Sequence, residues 1–319
     1  MPKKQRKFAD DGWAFWIDGE DTSTIHINDW LNPKGKNYVD IAIHIRGIKM
    51  SKMLSVYVPF SVSEEEIDDV SLSFENTRIL QAIFSAVCIV DYKKNEYTSE
   101  IAYNGKTIDI VHISTTGFKA ELLSDGTLIR VDLQKLQPYL DNDEAYFIWR
   151  MPHKSLDDIF KPFVNVGNVL ERLRDLITTP VVSEKYGYSI RINESRILPE
   201  EITRIGTFHR QKLNKTAITI SIDENYDMND AGCYRIRRLE ENLYKAYLPL
   251  DYPTEDVITY QWNQNREDNF HGHFNFYYSI TRNAVSKGSM FLYMLLLLVI
   301  SIFSDVISNS VQALIGLFT

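Results

Sequence analysis

Between Ser289 and Thr319 the chain carries no Lys, Arg, Glu or Pro, and Asp305 is its one charged side chain. The stretch includes MFLYMLLLLVISIF, residues 290 to 303, a near-continuous apolar run. As a helix, 289–319 would be roughly 46 Å long, which matches a bilayer with its headgroups. The pattern predicts a single transmembrane helix over 289–319. Arg282 and Lys287 precede it, so the positive-inside rule places the preceding body in the cytoplasm, on a single-pass anchor.

The polar residues of this segment are not scattered. With Ser301 set at zero and about 100° per residue, Asp305, Ser308 and Gln312 fall within roughly 40° of it. Upstream, the same face runs through Leu297, Met294 and Met290. An ionisable side chain within a membrane faces protein or water. One helix cannot hide it, so the stripe predicts a homo-oligomer. Two assemblies fit. In one, Ser301, Asp305, Ser308 and Gln312 line a pore, and Met290, Met294 and Leu297 form an apolar gate that closes by dewetting. In the other, the stripe joins helices by hydrogen bonds and the chain is a tail-anchored binding or scaffold protein without a pore. A third geometry breaks the helix at SDVISNS to give a re-entrant hairpin.

The body before the tail reads as α+β and rich in antiparallel strands, in two lobes, 1–165 and 166–284. Eighteen Tyr, 16 Phe and five Trp favour β-structure. Asn104-Gly105 and Asp125-Gly126 sit between alternating runs and predict two hairpins with type I′ turns. YVDIAIHIR sets Ile41, Ile43 and Ile45 on one face and Ala42, His44 and Arg46 on the other. LSVYVPF follows it and suggests a third hairpin. Helices are expected at ENTRILQAIF, NVGNVLERLRDLITTP, PEEITRIG and RIRRLEENLYKAYL.

A net charge of −8 argues against bulk DNA binding, since phosphate rewards a basic face. Two basic clusters stand against that background: His209, Arg210, Lys212 and Lys215 in FHRQKLNK, and Arg235, Arg237 and Arg238 in YRIRR. Arg210, Lys212, Arg235, Arg237 and Arg238 are the candidate ligand site, their forks suited to phosphate. Pairing with nearby carboxylates such as Glu240 and Glu241 is the alternative.

No P-loop, dinucleotide-binding glycine pattern, nucleophile elbow or HExxH motif appears, so the expectation is a non-enzyme with no cofactor and no metal. His271 and His273 would share one face of a strand, but no Cys or acid joins them at a metal spacing. The acidic run SEEEIDD, 63 to 69, lacks the glycine and ligand alternation of a calcium loop. The two cysteines, Cys88 and Cys233, read as buried free thiols of a reducing compartment. MPKKQRK is basic but leads into no apolar stretch, so no signal peptide is expected.

The β-rich body, the run LYMLLLLVISIF and the polar SDVISNSVQ together resemble the membrane effectors of bacterial antiphage systems, the Hailong-type channel effectors among them. The resemblance implies a bacterial inner-membrane protein. It also implies a nucleotide or oligonucleotide signal that controls a depolarising channel.

Overall fold

The computed structural model describes residues 10–19, 22–84, 88–91, 95–103, 105–155, 161–162, 182–205, 212–229, 232–265, 274–284 and 287–316. The predicted helix in NVGNVLERLRDLITTP and the His271–His273 pair lie outside them. The first strands are β1 (Asp10–Ile17), β2 (Thr22–Trp30), β3 (Asn37–Arg46), β4 (Met53–Val58), β5 (Asp68–Asp69), β6 (Cys88–Asp91), β7 (Thr98–Tyr103) and β8 (Lys106–Val111). There follow β9 (Phe118–Leu123), β10 (Gly126–Asp132), β11 (Glu144–His153), β12 (Lys161–Pro162), β13 (Val182–Ile192) and β14 (Lys212–Asp223). The last are β15 (Tyr226–Asn229), β16 (Arg235–Arg238), β17 (Val257–Asn265) and β18 (Phe274–Ala284).

The chain is α+β and strand-rich, with two mixed sheets. One compact unit collects 1–161, 187–224 and 229–278, and a second collects 162–186, 225–228 and 279–319. In the first unit, one sheet runs β13–β1–β4–β10–β9 and the other β16–β17–β14–β2–β3–β11–β8–β7–β6. The pairs β1–β13, β2–β14 and β8–β11 are parallel, and in each sheet the late strands form one block that meets the early block at a parallel seam, β13–β1 in the first sheet and β14–β2 in the second. Alternating hydrophobicity shows that a segment is a strand but not which strand it pairs with. That early and late strands join in shared sheets is therefore not readable from alternation alone.

The alternation of β3 holds: Ile41, Ile43 and Ile45 are buried. They face the interior with Ile25 and Ile27 of β2, Ile218 and Ile220 of β14, and Phe147 and Trp149 of β11, all buried as well. From the first sheet, Trp13 of β1 meets His153 of β11 edge-on at 6.3 Å. His153 is buried between Trp13 and Phe60, and burial, helped by Lys154, holds its pKa down at about 3.

Two of the expected hairpins form, β7–β8 and β9–β10. In the first, Gly105 adopts φ 74°, the left-handed conformation the turn requires. In the second, the loop is Ser124-Asp125 and Gly126 has already joined the strand, without a positive φ. Glycine is needed there for space instead, since a Cβ would lie 2.2 Å from the Val58 carbonyl oxygen. The third expected hairpin does not form. After β3 a helical turn at Ile48–Met50 carries the chain to the other sheet, where β4 pairs β1 and β10. In RIRRLEENLYKAYL only Glu241–Tyr244 is α-helical, because RIRR pairs with β17 as β16. Cys233 is free but half-buried rather than enclosed.

In the second unit, the helix Lys287–Gly316 spans 30 residues, roughly 45 Å. It runs without a break through SDVISNS, so the hairpin geometry is not adopted. Among the described residues no helix is long and apolar enough to cross a membrane.

Candidate functional site: a polar groove on the second sheet

The outer face of the second sheet carries two kinds of surface. Over β11 and β8, Ala42, Tyr146, Ile148 and Ile110 pack with Phe74, Ile79 and Leu80, the last two from the helix Thr77–Phe84. Over β2, β14 and β17 the outward positions are polar and partly open. Strand periodicity explains how: TSTIHIN, KTAITIS and VITYQWN each alternate an apolar inward residue with a small or polar outward one.

Register then builds the groove row by row. His44, Thr24 and Lys215 stand side by side, then Ala42, His26, Ala217 and Asn263. Next come Asp40, Asn28, Thr219, Gln261 and Arg235, followed by Trp30, Ser221, Thr259 and Arg237. The hollow over these rows, which Asp40, Ala42 and Ser221 do not line, encloses about 460 Å³. Ala217 leaves its floor low between His26 and Asn263.

Charge sets the groove apart. The chain is acidic, yet among the described residues no Asp or Glu lines the hollow itself, Asp40 being fully buried and bonded to Trp30 and Tyr247; its cations are Arg46, Lys215, Arg235 and Arg237. Lys215 and Arg235 make no ion pair among the described residues. Arg46 lies 3.5 Å from Glu144, which also meets His44 at 3.0 Å and Lys106 at 2.8 Å. Arg237 donates to the Tyr244 hydroxyl at 3.0 Å. Burial first, then Lys215 and His44, hold the His26 pKa down at about 4, so its imidazole is neutral. Burial also lowers His44, against the opposing pull of Glu144. The Oδ1 of Asn263 is buried with no hydrogen-bond partner among the described residues. A buried acceptor of this kind is satisfied when a ligand brings an O–H or N–H.

One end of the groove is anchored by a closed network. Asp40, fully buried, accepts from Arg150 at 2.6 and 2.9 Å, from Trp30 Nε1 at 2.7 Å and from the Tyr247 hydroxyl at 2.7 Å. Arg150 also donates to the Tyr247 carbonyl at 2.7 Å, and its guanidinium lies 4.5 Å from that ring. Burial pulls the Arg150 pKa down, but Asp40 outweighs it and keeps the group charged. Every partner here is spoken for, so the network holds the wall rather than a ligand.

The five residues of the sequence-derived ligand site separate. Arg235 and Arg237 alternate along β16 and both face the groove. Arg238 points the other way, bonded to Asp256 and 3.9 Å from Glu224, so it belongs to the surface. Arg210 lies outside the described residues, and Lys212 begins β14. A larger, more open hollow of about 710 Å³ shares Arg235 and Arg237, but Glu240 and Glu241 offset their charge on that side. His26, Asn28, Arg46, Gln261 and Asn263 were not among the sequence candidates. Their signal was polar residues at every second position of three strands, visible only once those strands are known to be neighbours.

On the helix Lys287–Gly316, Ser301, Asp305 and Ser308 are exposed, as are Met290, Met294 and Leu297 on the same face and Leu298 and Phe303 elsewhere. Gln312 lies in the helix, but its side chain is outside the described set. Among the described residues no group of three or more His, Cys, Asp or Glu could hold a metal. No protein-family model matches this chain, and no curated protein matches it.

Proposed function

We propose that the chain is an oligomeric, ligand-gated membrane effector. Its β-rich body senses an anionic signal in the groove, and its helix Lys287–Gly316 joins copies of itself in a bacterial inner membrane to form an ion channel. Depolarisation of the cell in antiphage defence is the role that suits such a device, with a nucleotide signal as trigger. The observation that carries the reading is the unbroken helix: an aspartate lies on one face of a segment whose other exposed residues are largely apolar. That combination disfavours a lone helix in lipid and favours a ring of helices around water.

The test is planar-bilayer current, with a membrane-potential dye in cells. Asp305→Asn should reduce cation selectivity while assembly persists, because Asn keeps size and hydrogen bonding. Leu297→Ser or Met294→Ser should wet the gate and give leak without any trigger. Phe303→Leu, away from the stripe, should change nothing. If wild type passes no current under any trigger, or if all four variants behave alike, the helix is an adhesive anchor and the channel is refuted.

A further inference from the structure

We infer that the groove is a proton-coupled oxyanion site: it takes a multiply charged anion beside Lys215 together with a proton that lands on His26. The inference rests on the groove being the ligand site of the reading above, and it adds what that ligand must bring with it.

The geometry carries the anion half. Lys215 stands one row from His26, beside the low floor at Ala217, and has no carboxylate partner among the described residues. Arg46, Arg235 and Arg237 share the same acid-free lining. Arg46 has Glu144 beside it, but Lys215 and Arg235 make no ion pair among the described residues, and cations gathered in this way repel one another until an anion enters.

The proton half follows from what surrounds His26. Lys215 faces it from β14, His44 and Arg46 from β3, and Tyr146 from β11, its ring 6.4 Å from the imidazole. Glu144 is occupied by His44, Arg46 and Lys106, and Asp40, one row along on β3, by Arg150, Trp30 and Tyr247. β17 offers only the uncharged Asn263. Burial, Lys215 and His44 all oppose an imidazolium, and the free groove keeps His26 neutral down to about pH 4. A dianion beside Lys215 reverses that field and gives a protonated His26 an acceptor for its new N–H. The bound state then holds a proton that the free state lacks. By linkage, affinity rises as pH falls through the range where only the bound form is protonated.

Sulfate is the probe, because it stays a dianion throughout the range and any pH dependence belongs to the protein. Full-length protein in detergent micelles is titrated with sodium sulfate by calorimetry from pH 8 to pH 5. Wild type should bind more tightly toward pH 5, by up to about tenfold per pH unit. His26→Gln and His26→Asn, checked for fold by circular dichroism, should bind with no such slope, whereas His44→Gln should keep it. Lys215→Gln should lose at least about tenfold in affinity at every pH. Affinity that does not change with pH in wild type, or a slope that survives in both His26 variants, overturns the proton coupling and leaves the groove a plain anion site. Absence of sulfate binding at every pH overturns the anion site itself, whereas the channel stands or falls separately on its current.

Discussion

Over β3, β11 and β8, the outer face of the second sheet is roofed by the helix Thr77–Phe84 and by the chain around Tyr247. Over β2, β14 and β17, the same face is left as a groove. The roofed half buries the ion pair Asp40–Arg150 and surrounds it with Trp30 and Tyr247 until its lone pairs are used. The open half holds Lys215 and Arg235 without an ion pair among the described residues. Both halves follow the same two-residue period, so the difference lies in the outward residues: Ala42 and Ile148 invite a lid, whereas Asn28, Thr219 and Gln261 keep one away. Burial in one half secures the fold, and incomplete pairing in the other leaves interaction energy for a ligand.

The hardest blow to the roofed half is Arg150→Met. It leaves Asp40 a buried, uncompensated charge and should cost ~3–5 kcal/mol in urea denaturation. A loss under ~1 kcal/mol would mean that the pair does not secure this half.

Acid distinguishes the groove from the core between the sheets. His26 and His153 have folded pKa values of about 4 and about 3, both below the ordinary 6.5. Below about pH 6.5 the unfolded chain therefore binds protons that the folded chain refuses, and stability falls as pH drops. Each imidazole contributes a slope of up to ~1.4 kcal/mol per pH unit. At pH 5, His153→Phe should recover roughly 2 kcal/mol of this loss. Added sulfate should offset only the His26 share, because the His153 site is enclosed. Equal rescue of both slopes by sulfate would show that the salt acts on the whole fold rather than in the groove.

Ala217→Leu fills the groove from its floor. Sulfate affinity should fall about tenfold or more, while stability moves by less than ~1 kcal/mol. Retained binding would place the anion elsewhere. Smallest of all, Lys215→Gln should change stability by under ~0.5 kcal/mol, whereas Ile148→Ala beneath the lid should cost ~2–5 kcal/mol. Similar costs for these two would erase the distinction between the halves.

Much of the strand content was legible because alternation is local: YVDIAIHIR, TAITISID and DVITYQWN all became strands where expected. Partnership was not legible. Nothing in Ile27 or Ile218 announces that they pair in parallel, and LSVYVPF crosses to the other sheet through one helical turn. The ligand cluster was half legible for the same reason. Arg235 and Arg237 reach the groove by alternation, and Arg238 is turned away by it. Lys215 becomes a candidate through register, as does His26. RIRR misled because arginines suit helix and strand alike, and β17 decided between them.

The parallel pairing of β2 with β14 also sets a timetable for the nascent chain. Ile27 must wait for Ile218 before its second edge is covered. At ribosomal speeds of roughly 5–20 residues per second, that delay lasts on the order of ten to forty seconds. Throughout it, the Ile-rich inward faces of β2 and β3 have one another but only part of their sheet, and a protein so dependent on distant partners folds slowly. A fragment ending near residue 165 would carry those strands indefinitely in that state. Released into the cell, it would be a substrate for chaperones rather than a smaller working protein.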